Sequence, residues 1–563
     1  MPLRTLKTFI ALILSIVIGS VVSGQTLPDT MTRKIDSLFL KWNTGNSPGC
    51  TIGIIRNDSL IYARGYGMAN LEYGIPNEPG TLFHMASISK QFAGWSMMLL
   101  ASQGKIRLDD DVRKYLPWFP DLKHKITIQH LLNHTSGIRD QWQLLAISGT
   151  RLDDVIKQEQ VVKILSQQRA LNFNPGEQYS YSNSGFTMLA EIVKAVTGQT
   201  LRQFTDSAVF KPLGMTSTHF HDDYTEIEKG RSYSYERKDS ASFSNAVLSY
   251  AVAGATSLFT TINDMSKWVM HLYNTNPGNQ ELVKTLTQKG KLNSGKELSY
   301  ANGIVVNAYK GWRQFSHGGA DAGYRTYISV LPDKKMGFLV FSNLGDFSAG
   351  GKAYALADLF ISDTTTKADA AVKPALRDSA AAILKDAAVW QKYWGDYIGE
   401  DGLPFNFEVR YKQLRYKIYD ETSFLIREKN DTFSIPNAPE VKFVFTEKGK
   451  DKLVEVITPD QVYHLKKYVK GVQLQDKDLQ EFTGTYYSTE LDCRYGIILK
   501  DHQLMLTNDK YPDVKLNVLG GDHFTNDNWW INHFMMVRDS NKKIIGLEVN
   551  SGRIIHLQFD KIK

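Results

Sequence analysis

The chain has 563 residues, 66 lysines and arginines against 59 aspartates and glutamates, and two cysteines. That length exceeds what one hydrophobic core usually supports, so two or more domains are expected. A net charge of +7 spread over interleaved lysines and acids argues against nucleic acid as a partner, and two cysteines exclude a disulfide framework.

The N-terminus, MPLRTLKTFIALILSIVIGSVVSGQT, sets Arg4 and Lys7 before an apolar run over 9–22 and closes it with Ser23 and Gly24. This is the pattern of a secretory signal over residues 1–24, so a secreted or periplasmic chain is expected. Loss of Arg4 and Lys7 with the signal takes the net charge from +7 to +5. No later apolar run has the length of a spanning helix, and no stable membrane span is expected after cleavage. Cys50 and Cys493 are expected as unlinked thiols.

Residues 29–42 carry apolar positions at helical spacing. CTIGIIR (50–56) and SLIYARGYGMA (59–69) are strand-like and joined by Asn57-Asp58, which suits a hairpin. Helical patterns recur over 90–103, 152–168, 185–197 and 263–273, and strands return between 299 and 343 with a turn at Pro332-Asp333. Strands at both ends of a helical segment predict one α+β domain over 25–361, its sheet assembled from the two termini. A linker poor in aromatic residues follows at 362–388. Beyond it, YWGDYIGE at Tyr393 is echoed by FTGTYYSTE at Phe482, with Gly395 and Gly484 89 residues apart. Two all-β modules, 389–474 and 475–563, are expected to be small antiparallel barrels. Deletion after about residue 370 is expected to leave a foldable domain.

Two motifs are set aside. Gly45-Asn46-Ser47-Pro48-Gly49 satisfies GxSxG, but it stands between a helix and a strand, the reverse of a nucleophile elbow. His130 and His134 are four apart, yet no Glu follows His130 and no third ligand is placed, so structural histidines are expected. The stretch HMASISK is different, because Ser87 and Lys90 three apart share one helical face. Lys90 opens an otherwise apolar helix, where burial lowers an amine pKa and yields a base. Ser89, adjacent to the lysine, projects elsewhere. Tyr181-Ser182-Asn183 lies in a polar turn entering a helix, and His317-Gly318-Gly319 lies between two strand patterns. Together these segments offer a nucleophile, a base, an acid and oxyanion donors, with Tyr181 as a base if cations depress its phenol pKa.

Ser87-x-x-Lys90, Tyr181-x-Asn183 and His317-Gly318-Gly319, in that order, resemble the three motifs of the penicillin-recognising serine hydrolases. The branch resembled holds class C β-lactamases, DD-carboxypeptidases and D-aminopeptidases. GKIRLDDDVRKYLPWFP, LLNHTSG and KPLGM agree with it. The resemblance implies a five-stranded antiparallel sheet flanked by helices, an acyl-enzyme on Ser87, and an oxyanion hole from the N–H groups of Ser87 and Ala320. It implies no metal and no cofactor. His317 replaces the lysine that class C β-lactamases usually carry, and a histidine near neutral pH is only partly charged, so efficient β-lactam hydrolysis is not expected.

The reading is therefore a secreted serine hydrolase acting on a small peptide, D-amino-acid amide or ester. Ser87 is its nucleophile, Lys90 and Tyr181 share acid–base work, Asn183 orients, and His317 binds or protonates. Gly318, Gly319 and Ala320 line the substrate. The alternative is a weakly catalytic sensor that binds cell-wall peptides. Nothing in the pattern specifies an oligomer.

Overall fold

The computed structural model describes residues 27–249, 251–361 and 392–562, apart from 411–412, 419–420, 429, 437, 450, 469–471 and 473. The expected signal over 1–24 and linker over 362–388 lie outside the described residues. Among the described residues, no helix is long and apolar enough to cross a membrane.

The N-terminal unit is built on an antiparallel sheet ordered Val305–Tyr309, Trp312–Asp321, Tyr324–Leu331, Met336–Ser342, Cys50–Arg56, Ser59–Tyr66. Both ends of the segment meet where Cys50–Arg56 pairs with Met336–Ser342. The resemblance implied five strands; the sheet has six, with Val305–Tyr309 at one edge. The two central strands are buried on both faces, which is why their sequences run apolar without alternation. Asn57 takes φ 53° in the hairpin, a conformation its short polar side chain tolerates.

Helices cover both faces of the sheet. On one side Ile35, Phe39, Leu356 and Ala353 pack against Ile52, Ile54 and Val340. On the other, the Ile262–Tyr273 helix lies so close that a Cβ on Gly53 would stand 2.7 Å from Ile262 and one on Gly337 2.4 Å from Val269. Glycine at these two strand positions admits the helix. Farther out, the Lys90–Ser102 and Asn183–Thr197 helices are buried nearly all round. The helix expected over 152–168 is shorter, Gln158–Ser166.

Two nine-stranded antiparallel sheets follow, spanning Gly395–Gly399 to Val462–Tyr468 and Gly484–Ser488 to Ile554–Lys561. Their strand orders are the same, with the first strand of each lying between the second and the ninth, which curls the sheet into a nearly closed barrel. The repeat holds in detail. Gly395 and Gly484 both adopt positive φ, 128° and 148°, and Tyr397 and Tyr486, two residues on, are both fully buried.

The two barrels relate differently to the rest. The first has its own core of Tyr393, Tyr397, Phe407, Phe433, Phe443 and Phe445. The second shares one continuous apolar core with the N-terminal unit. Across that junction Tyr495 donates to the Ile147 carbonyl at 2.9 Å, and buried Arg139 meets Glu490 at 2.7 Å. The expectation that the N-terminal unit folds without the barrels has to reckon with this junction, where Arg139 and the Ile147 carbonyl bind groups of the second barrel. Cys50 and Cys493 are both free and buried, and burial pushes the Cys493 thiol up to about 12.

Candidate active site

Ser87 sits in the tight turn Ala86–Ser89 that feeds directly into the Lys90–Ser102 helix. The turn begins at Ala86 with φ 47°, strained backbone held immediately before the serine. Ser89 is buried and accepts from the Leu258 N–H at 3.0 Å, so it anchors the turn rather than facing the cleft.

Lys90 is fully buried. Its Nζ lies 3.2 Å from Ser87 Oγ, 2.9 Å from Asn183 Oδ1 and 2.8 Å from the Ala255 carbonyl. Burial, with a lesser push from Arg553 and against Asp140 and Asp321, brings its pKa down to about 7. The neighbours decide where the neutral amine's lone pair points. Asn183 Oδ1 and the Ala255 carbonyl only accept, so both remaining N–H bonds go to them and the lone pair is left for Ser87.

Asn183 is oriented in turn by Asp140. The carboxylate Oδ2 accepts from the Asn183 backbone N–H and from its Nδ2, each at 2.8 Å, which leaves Oδ1 to face Lys90. Asp140 also caps the Gln141–Ile147 helix through the Trp142 N–H at 3.0 Å.

The Tyr181 ring centroid lies 4.9 Å from Lys90 Nζ. Desolvation raises the phenol pKa, outweighing the lowering by Ser87 and Arg553. The condition attached to Tyr181 as a resting base is thus not met, since the nearby cations do not overcome burial. Tyr181 is therefore a protonated phenol beside Lys90.

His317 is buried, its Nδ1 2.6 Å from the Gly318 carbonyl and its Nε2 2.9 Å from Tyr300 Oη. A carbonyl only accepts, so Nδ1 carries the proton and Nε2 receives one from Tyr300. Burial and Lys90 lower its pKa to about 4, and the ring is neutral at physiological pH. Gly318 and Gly319 lie inside the strand Trp312–Asp321, not in a turn between strands. A Cβ on Gly319 would meet the Met85 carbonyl at 2.4 Å and Thr326 Oγ1 at 2.3 Å, so only glycine lets this strand abut the Ser87 turn. Ala320 follows at the exposed edge.

The Ser87 turn, the buried Lys90 and the strand Trp312–Asp321 arranged on this sheet agree with the sequence comparison: a beta-lactamase family model matches residues 30–360. The chain belongs to the beta-lactamase family. It is 26% identical over 296 residues to a D-aminopeptidase of Gluconobacter oxydans, covering 53% of this chain and 56% of that protein. With a D-aminopeptidase of Brucella anthropi it shares 26% identity over 449 residues, 79% of this chain and 80% of the relative. The fold also resembles the octameric penicillin-binding protein homologue from Pyrococcus abyssi, with TM-score 0.52, 19% identity, and coverage of 86% of this chain and 98% of that one.

This member of the beta-lactamase family has one feature that its motifs do not announce. The turn between the strands Ile544–Ser551 and Ile554–Lys561 of the second barrel carries Arg553 into the site. Its guanidinium lies 4.9 Å from the Tyr181 ring centroid and 3.7 Å from Asp140 Oδ2. The turn is held by backbone bonds: Arg553 N–H donates to Gln143 Oε1 at 2.8 Å, and the Arg553 carbonyl accepts from Asn172 Nδ2 at 2.9 Å. Asp140, Ala255, Tyr300 and Arg553 are the site residues that sequence reasoning missed. Asp140 reads as an ordinary helix cap, and a turn arginine 372 residues from Tyr181 gives no signal at all.

Of the motifs set aside, Ser47 and His130 lie away from Ser87, while His134 packs behind Tyr181. Ser47 lies in a bend before the first strand, its Oγ donating to the Pro48 carbonyl at 2.7 Å. His130 completes a capping box by accepting from the Thr127 N–H. His134 lies beyond that helix with φ 57° and accepts from the Ser182 N–H, its ring 4.2 Å from that of Tyr181. The two histidines share no helical face.

Proposed function

We propose that this chain is an exported serine hydrolase that forms an acyl-enzyme on Ser87 with a small peptide, D-amino-acid amide or ester. The observation that carries the reading is the buried Lys90 amine beside Ser87, whose other two neighbours can only accept. Neutral Lys90 takes the Ser87 proton as Oγ bonds to the substrate carbonyl carbon and the carbonyl electron pair moves to oxygen. The backbone N–H groups of Ser87 and Ala320 hold that oxyanion. Its collapse restores the carbonyl and breaks the C–N or C–O bond, and the leaving group receives a proton from the Lys90 ammonium through Tyr181. Water then gives a proton to the same amine as its oxygen bonds to the ester carbon; collapse breaks the bond from that carbon to Ser87 Oγ, which takes the proton back from the Lys90 ammonium. Asn183 orients Lys90 and the substrate amide, neutral His317 contributes a binding contact, and Gly318 and Gly319 let substrate lie along the strand edge.

The D-aminopeptidase relatives support D-amino-acid derivatives as substrates. Arg553 supplies the permanent cation that neutral His317 does not, which favours substrates bearing a carboxylate near Tyr181. The pattern of residues 1–24 supports export to a secreted or periplasmic location.

Intact-mass spectrometry after treatment with a fluorophosphonate or a penicillin tests the proposal. One adduct is expected on the native chain and none on Ser87→Ala. A native chain that takes up no label overturns the enzyme reading and leaves a peptide-binding protein. Turnover should follow with D-amino-acid amides and short esters, and be slow with a chromogenic cephalosporin.

A further inference from the structure

Away from Ser87, the segment HFHDDYTEIE folds two pairs of alternate residues onto each other. His219 and His221 flank Phe220 at the strand His219–Phe220, where alternate side chains share a face. Glu226 and Glu228 return opposite them. One donor atom from each of the four lies within 4.8 Å of all the others. His219 Nε2 stands 2.7 Å from Glu228 Oε1, and His221 Nδ1 stands 3.2 Å from the same oxygen and 4.0 Å from Glu226 Oε2.

We propose that His219, His221, Glu226 and Glu228 form a divalent-cation site suited to zinc. Two imidazoles and two carboxylates are a borderline donor set of net charge −2, which zinc neutralises. Bonds of about 2.0–2.1 Å in a tetrahedron separate donors by roughly 3.3 Å, so the present spacing needs only small side-chain rotations. His221 and Glu228 side chains are 4% and 9% exposed and form the fixed floor, while Glu226 at 36% opens to solvent. Glu226 is also gripped by Arg202 at 2.5 and 2.8 Å, which makes it the ligand that exchanges between guanidinium and metal.

The site is structural. His219–Phe220 pairs with Leu258–Thr260, which pairs with Phe83–His84 just ahead of the Ser87 turn. The Phe259 ring sits 6.0, 5.4 and 5.2 Å from the rings of His219, His221 and His84. Metal at this end braces the three-stranded sheet from which the Ser87 turn hangs, with no part in the acyl transfer.

The test uses the full chain, stripped with a chelator and dialysed, then titrated with Zn²⁺ and with Co²⁺. One equivalent of zinc by elemental analysis, a higher Tm, and the intense visible bands of tetrahedral cobalt are expected. His219→Ala/Glu228→Gln should weaken zinc by more than about 100-fold, beyond the 10–100-fold of outer-shell changes. If that double variant folds poorly by circular dichroism, the more exposed Glu226→Gln serves, with zinc weakened roughly tenfold and Ser87 labelling retained. A native chain that binds no zinc at micromolar concentration, or variants that keep the full equivalent at unchanged affinity, overturns the proposal. Failure here leaves the acyl-enzyme reading untouched, since Ser87 labelling is scored separately.

Discussion

If neutral Lys90 is the base, acylation must follow its titration. With a pKa of about 7, the amine is half neutral at pH 7. It is about one-tenth neutral at pH 6 and nearly all neutral at pH 8, so kcat/KM should climb through this window and then level off. Arg553 holds that pKa down, and Arg553→Gln removes the repulsion. Lys90 Nζ and the Arg553 guanidinium each lie 4.9 Å from the Tyr181 centroid, so they are within about 10 Å of each other. At an effective dielectric of about 20 that repulsion is about 1.7 kcal/mol, roughly one pH unit. Because the Arg553 side chain is 48% exposed, solvent screening halves it to about half a unit. The acid limb should therefore move to higher pH, with roughly threefold lower kcat/KM at pH 6 and an unchanged plateau at pH 9. The assay is kcat/KM against pH for an N-acylated D-amino-acid ester without ionisable groups, so that the limb belongs to the enzyme. A profile flat between pH 6 and 8, or a limb that Arg553→Gln moves to lower pH, refutes the reasoning.

Three further outcomes follow from the same geometry. Asp140→Ala frees the Asn183 amide to turn, and kcat should fall about 100-fold with KM changed far less, in steady-state kinetics of the same ester. Glu490→Gln leaves the buried Arg139 guanidinium with neutral acceptors only, at the Ile555 and His556 carbonyls and Gln168. Urea unfolding should show a loss near the low end of the about 3–5 kcal/mol that a broken buried pair costs. Truncation after residue 361 uncovers Arg139 and the apolar surface beneath the second barrel, and the fragment should be insoluble; a soluble fragment that takes up the fluorophosphonate label would contradict the shared core.

How much was legible in the sequence depended on whether the determinant was local. Ser87 and Lys90 are one helical turn apart, and the apolar residues after them signal the helix that buries the amine, so both residues and the direction of the lysine pKa shift follow from one short stretch. The barrel repeat was equally plain, because Gly395 and Gly484 need the same unusual backbone at the same place in each copy. Tyr181 lies beside Lys90, but whether cations would depress its phenol pKa was left conditional in the sequence, since the balance between desolvation and Arg553 depends on what packs around the phenol. His317 was expected partly charged, and burial together with Lys90 makes it neutral.

By itself the sequence determined the order of elements, the three motifs and the doubled barrel, because helix periodicity, strand runs and turn residues act over a few neighbouring positions. Tertiary structure alone decided that the second barrel sets Arg553 beside Tyr181. Arg553 reaches Tyr181 only because Arg139, Gln143 and Asn172 bind the backbone of residues 551–556. Those are contacts to main-chain groups, which every residue carries, and no side-chain pattern along the chain can announce them.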